Sequence, residues 1–187
     1  MALSFCTLKV VLVLIALKHP SAHGVVYYVA PTVADCPVNV SCNTLNYYAN
    51  STTLQLTDSA FYFTPGTHLL QQIWIIENAS HLTLDQLFLP ITELEEQKVV
   101  YIDCGGISGR GIRVRNGRNV IVKNLQIVHC QLSEGYSCYL SPAMDFNLVN
   151  NLTLSVLTIT NSKSSCLRLQ DCSDCVITDS VFAYTNC

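Results

Sequence analysis

Three charged residues, Arg113, Asp145 and Arg168, recur at one position of an internal repeat, in successive copies of it. If the copies stack in register, their side chains form a row of alternating charge on the outer face. Arginine forks bind carboxylate and sulfate groups, so this row could bind a carboxylated or sulfated sugar. The simpler interpretation is a surface ion-pair row that contributes about 0–1 kcal/mol per pair. Further positive charge nearby comes from Arg110, Arg115 and Arg118.

A second candidate for chemistry is the pair Cys172-x-x-Cys175, whose spacing is that of half a zinc site. No second ligand pair at metal spacing accompanies it, so we favour a disulfide role, with partners left open, over a zinc site and predict no metal. The five histidines are scattered along the sequence. We find no Ser/His/Asp arrangement and no phosphate-binding loop, and we therefore predict no catalytic residue and no cofactor.

The elements that must position these residues are four stretches that align without a gap. They are residues 73–89, 111–127, 143–159 and 166–182. In each stretch the apolar residues form three pairs of period 2, which is typical of short strands with one buried face. In the first copy these pairs are Trp74/Ile76, Leu82/Leu84 and Leu87/Leu89. No copy could bury its apolar face alone, so we expect the copies to stack.

Polar residues recur between the strand pairs of successive copies. The two polar columns contain Asn78, Asn116 and Asp171, and His81, Asn119, Asn151 and Asp174. Asn and Asp tolerate left-handed backbone and suit tight turns, so both columns predict corners. The steps between copies are 38, 32 and 23 residues. The two longer steps leave room for inserted loops or for an extra strand at residues 99–103.

The repeats resemble those of right-handed parallel β-helix, pectin-lyase-like proteins. The segment NVIVKNLQI (residues 119–127) carries most of the resemblance, and FTPGTHLL (residues 63–70) resembles the lead-in to a first rung. The resemblance covers about residues 62–187 and extends to secreted or surface β-helix repeat proteins of invertebrates. It implies an all-β, right-handed parallel β-helix solenoid. The acidic calcium cluster of pectate lyases and the Gly-His-Gly segment of polygalacturonases have no counterpart in this sequence.

The N-terminus has the pattern of a secretory signal peptide over residues 1–24. Lys9 precedes an apolar run, and small residues follow at Ser21, Ala22 and Gly24. A retained signal anchor is the alternative. Residues 25–72 are predicted to form an N-terminal cap, with strands at 25–30, 53–56 and 60–64 and a helical turn at 44–49. Residues 73–187 are predicted to contain the β-helix repeats.

Export would place nine cysteines in an oxidising compartment, where disulfides form. The one pairing that we predict is Cys36–Cys42, which closes a short loop. N-glycosylation sequons occur at Asn39, Asn50, Asn78 and Asn151. Two of these four, Asn78 and Asn151, fall at predicted corners, where a glycan could point outward.

Composition narrows the possible functions further. The chain has 187 residues, of which 50% are hydrophobic and 12% charged, and its net charge is −3. This balance predicts no nucleic-acid partner, and no segment after the signal is apolar enough to span a membrane. We expect a secreted or cell-surface protein with a structural, adhesive or glycan- or protein-binding role, and its partners would be extracellular glycans or surface proteins.

The alternative is a polysaccharide lyase or glycoside hydrolase that acts on acidic polysaccharide. Its active site would be diverged or would lie outside this chain. No polar capping element follows the last copy, so we also expect a C-terminally truncated solenoid.

Overall fold

The computed structural model describes residues 24–37, 40–88, 99–105, 111–131, 142–162 and 165–183. Its helices are α1 (Leu45–Asn50) and a short 3-10 helix (Val33–Asp35). The strands, in chain order, are β1 (Val25–Ala30), β2 (Cys42–Thr44), β3 (Thr57–Phe63), β4 (Gly66–Leu69), β5 (Trp74–Glu77), β6 (Ser80–Gln86), β7 (Val100–Asp103), β8 (Ile112–Arg115), β9 (Arg118–Val128), β10 (Met144–Asn147), β11 (Asn150–Thr160), β12 (Leu167–Gln170), β13 (Ser173–Thr178) and β14 (Val181–Phe182). The predicted signal peptide falls almost entirely outside the described residues.

The described strands form two sheets, and every pair within them is parallel. The smaller sheet has the order β5-β8-β10-β12. The larger sheet has the order β13-β11-β9-β6-β3-β1-β2, with β14, β4 and β7 joined to it. The predicted all-β class is therefore confirmed, and its sheets are parallel.

Residues that share a column in the alignment of the copies are paired with one another on neighbouring strands in both sheets. In the smaller sheet Trp74, Ile112, Met144 and Leu167 stand level with one another. In the larger sheet, the residues of the second apolar pair of each copy are aligned in the same way. The inward residues of both columns are buried in the first three copies. They form the hydrophobic core between the sheets.

The third strand of the first copy differs from the prediction. Leu87 is only half-buried, and β6 ends at Gln86. The C-terminal half of β9 contains the third apolar pair of the second copy. β7 pairs with this half, and Val100 and Ile102 of β7 are fully buried. The extra strand predicted at 99–103 is thus present, and it takes the place beside β9 that was predicted for Leu87; Leu89 lies outside the described residues. Burial decides which of two apolar segments pairs with a sheet, and local alternation alone does not.

The strands of residues 25–72 join the same large sheet as the repeats, because β3 pairs with both β1 and β6. Helix α1 begins after Thr44, whose hydroxyl accepts a hydrogen bond from the Tyr47 N–H, and it agrees with the predicted helical turn. The strand predicted at 53–56 is wrong. There the Gln55 N–H donates to the Tyr27 hydroxyl at 3.1 Å, so it is bonded to a side chain.

Corners are made by residues in left-handed conformation at fixed positions. In the second copy these are Asn116, Asn119 and Asn124, and in the fourth copy Asp171, Asp174 and Asp179, with φ between 48° and 56°. The two polar columns predicted as corners are confirmed, including Asn78 and His81. The third copy departs from the polar pattern, because its equivalents of Asn116 and Asn124 are Leu148 (φ 55°) and Val156 (φ 52°).

Two disulfides are found within the described part of the chain. Cys36–Cys42 is confirmed as predicted. A second disulfide, Cys104–Cys130, was not predicted and joins the residues that follow β7 and β9. It packs against Gly111, where an added Cβ would lie 2.8 Å from the Cys104 sulfur. Glycine at position 111 therefore makes room for the disulfide.

Val156→Asn tests the cost of the left-handed corners. Valine is β-branched, so its left-handed backbone is strained. Its side chain is 53% exposed at this position, so burial offsets little of that strain. Because Val156→Asn creates the sequon Asn-Leu-Thr, the proteins are compared without N-glycosylation. We expect the substitution to raise the free energy of unfolding by about 1 kcal/mol and Tm by about 2–4 °C. Val156→Thr is the matched control, because it stays β-branched but removes apolar surface. A gain of equal size in both variants would contradict an origin in backbone strain.

The buried His68 predicts a loss of stability in weak acid. Burial lowers the pKa of His68, and its 2.7 Å hydrogen bond to the Thr64 carbonyl does not reverse this effect. Below about pH 6.5 the unfolded chain therefore binds a proton more readily than the folded chain does. We expect the urea midpoint to fall as the pH drops from 7 to 5. His68→Gln should reduce this fall, and an equally steep fall in that variant would refute the assignment.

Candidate functional site

The register of the small sheet brings Arg113, Asp145 and Arg168 together. β8 pairs with β10 and β10 with β12, so the three residues stand level on adjacent strands. The Arg113 Nε donates to Asp145 Oδ2 at 3.1 Å. Arg168 donates from Nε to Oδ1 and from Nη2 to Oδ2, both at 2.8 Å. One carboxylate therefore lies between two guanidinium groups.

This ion-pair cluster is less exposed than a surface row. The side chains of Arg113 and Asp145 are 9% and 1% exposed, whereas that of Arg168 is 27% exposed. Burial lowers the pKa of the Arg113 guanidinium from its ordinary value, although an arginine remains protonated at any physiological pH. Arg113 and Asp145 thus form the buried part of the cluster. Arg168 is the member of the three that solvent reaches.

Arg115 adds a third guanidinium beside the cluster. Its Nη1 contacts Glu77 Oε1 at 3.3 Å, and both side chains are substantially exposed. The three arginines together face two carboxylates, those of Asp145 and Glu77. One positive charge is left in excess, and this part of the sheet therefore favours an anion.

An open pocket of about 350 Å³ lies over the exposed side of the cluster. Its lining comes from three neighbouring copies and consists of Arg115, Asn116, Asp145, Asn147, Leu148, Arg168 and Gln170. The polar residues can donate to an anion or to hydroxyl groups. Sequence reasoning identified the charged residues but missed Leu148. The signal for it was an apolar residue in a column that is otherwise Asn or Asp.

None of the described sequon residues is part of the lining of this pocket. Asn50, Asn78 and Asn151 are exposed, and Asn39 lies outside the described residues. The Asn151 amide donates to Asn119 Oδ1 at 2.7 Å, so one corner column also forms a side-chain ladder.

The disulfide role favoured for Cys172 and Cys175 over zinc binding is not seen, because both residues have free thiols. The Cys172 thiol donates to the Phe146 carbonyl at 3.5 Å. Burial raises the pKa of the Cys175 thiol, and the neighbouring Cys172 adds to the shift.

Among the described residues, no group of three or more His, Cys, Asp or Glu side chains is placed to hold a metal ion. Within the same part of the chain, no helix is both long and apolar enough to cross a membrane.

Asp145→Asn tests the ion-pair cluster. It removes the buried carboxylate and leaves two guanidinium groups without their counter-ion. We expect the free energy of unfolding, measured by urea denaturation, to fall by about 3 kcal/mol. The matched control Glu77→Gln breaks the exposed pair with Arg115 and should cost less than about 1 kcal/mol. Equal small losses in the two variants would show that the buried cluster contributes no more to the free energy of unfolding than the exposed ion pair does.

Comparison of the chain with protein-family models, with curated proteins and with solved structures finds no match. A fold does not by itself specify a function. Any assignment of function therefore depends on the chemistry of the site.

Proposed function

We propose that this chain is a right-handed parallel β-helix of the pectin-lyase-like kind that acts outside the cell as a binding protein for acidic glycans. Three features support the architecture: parallel pairing throughout, copies that stand level in both sheets, and left-handed corners at fixed positions. Each copy of the repeat then corresponds to one turn of the solenoid.

An extracellular location agrees with several features of the chain. The disulfides Cys36–Cys42 and Cys104–Cys130 are of the kind that persists in oxidising compartments. The described sequon residues Asn50, Asn78 and Asn151 are exposed and are proposed as glycan acceptors, as is Asn39. Residues 1–24 are proposed as the secretory signal.

The observation that carries the binding function is the pocket over the ion-pair cluster. Arg168 is held by a two-point contact with Asp145 and is the more exposed arginine of the cluster, so its guanidinium can meet a ligand. Arg115 is half-exposed on β8, two strands away from Arg168 on β12, and lines the same pocket. Each of these two guanidinium groups can bind a carboxylate or a sulfate. Because each anionic contact would be partly solvated, we expect moderate affinity that weakens with salt.

Arg115→Gln tests this function with a matched control on the same copy. Arg118 is exposed and does not line the pocket, so Arg118→Gln makes the same change of net charge. By calorimetric titration at fixed ionic strength, Arg115→Gln should weaken hyaluronate binding about tenfold, as expected for the loss of a charged hydrogen bond. Arg118→Gln should change the affinity less than about twofold.

Equal losses in both variants would indicate non-specific attraction, and no binding by the unchanged protein would refute the proposal. The same mixtures distinguish an enzyme that acts on acidic polysaccharide, because progressive shortening of the polymer would identify a lyase or hydrolase.

A further inference from the structure

Leu148 occupies a position that the fold gives to polar residues. The same corner in the other copies has Asn78, Asn116 and Asp171, with φ of 57°, 52° and 52°. Asn and Asp tolerate left-handed backbone because their short side chains can bond to it locally. Leucine has no such bond to offer, yet Leu148 has φ of 55°. Its backbone is held there by the N–H, which donates to the Gln170 carbonyl at 3.0 Å.

The side chain of Leu148 gains little from the core in return. It is 53% exposed, so much of the hydrophobic stabilisation that a leucine can supply is not realised. A bulky residue in left-handed conformation is a true outlier, and such outliers cluster at functional sites. Here the outlier lines the pocket, together with Arg115 and Arg168.

We infer that Leu148 is a specificity-determining residue of this pocket, and that it selects a carboxylated pyranose over a densely sulfated chain. The inference rests on the proposed glycan-binding function. A pyranose that carries one carboxylate also presents an apolar face of ring C–H groups. The guanidinium groups bind the carboxylate while Leu148 packs on that face. Sulfate groups around a ring leave less apolar surface for leucine to contact.

Leu148→Asn separates this role from any role in the fold, because it installs the residue that Asn116 provides in the same column. We expect Tm to rise by about 2–4 °C as strain is relieved. We expect hyaluronate binding to weaken about 5- to 10-fold, as for the loss of a partly buried leucine contact. Binding of dextran sulfate should change less than about twofold. Leu148→Met, which keeps an apolar side chain, should keep hyaluronate affinity within about twofold.

Val156→Asn is the matched control. Among the described residues, Val156 is the other exposed apolar residue at a left-handed corner, and it does not line the pocket. Its substitution should raise Tm in the same way and leave both affinities unchanged. Hyaluronate binding by Leu148→Asn equal to that of the unchanged protein would overturn the inference while the pocket's function stands. No binding of either polymer by the unchanged protein would overturn the proposed function itself.

Discussion

The structure depends on the residues of the two corner columns, in which all four copies adopt left-handed backbone. Each such residue turns the chain between two short strands, and because it recurs at the same position in each copy, the next copy arrives level with the last. Asn and Asp meet this demand at little cost. The hydrophobic columns, the parallel ladders and the ion-pair cluster all require this register, since a slip of one residue would turn inward side chains outward.

Register also explains why charges could be placed out of water. On isolated strands Arg113, Asp145 and Arg168 would each remain solvated. Stacked level, one carboxylate satisfies two guanidinium groups through three hydrogen bonds. That arrangement makes a buried charge tolerable, and removing one member would leave the others uncompensated. The proposed pocket therefore has a rigid charged floor, which limits the conformational cost of binding a ligand.

Much of this arrangement was predictable from the sequence, because it follows from periodicity. The sequence predicted the inward columns, two corner columns and the Cys36–Cys42 disulfide. It also predicted that the three charged residues stand side by side on adjacent strands. The pairing of β7 with β9, in the place predicted for Leu87, was not predicted, since two apolar segments could have filled that place. The Cys104–Cys130 disulfide depends on that same pairing. The burial of Arg113 and Asp145 was also missed. Strand periodicity predicts the face of the sheet on which a side chain lies, but it does not predict whether other residues cover that face.

The pocket is shared among three copies of the repeat, and this limits how the chain can change in length. Loss or gain of a whole copy is the simplest length change for a stacked repeat, because neighbouring copies need only be re-paired. Loss of the third copy would preserve the apolar columns but would set Arg113 level with Arg168, with no carboxylate between them. Two guanidinium groups would then face each other about 4.8 Å apart. The order of charges along the stack thus opposes changes in copy number that the hydrophobic core alone would accept.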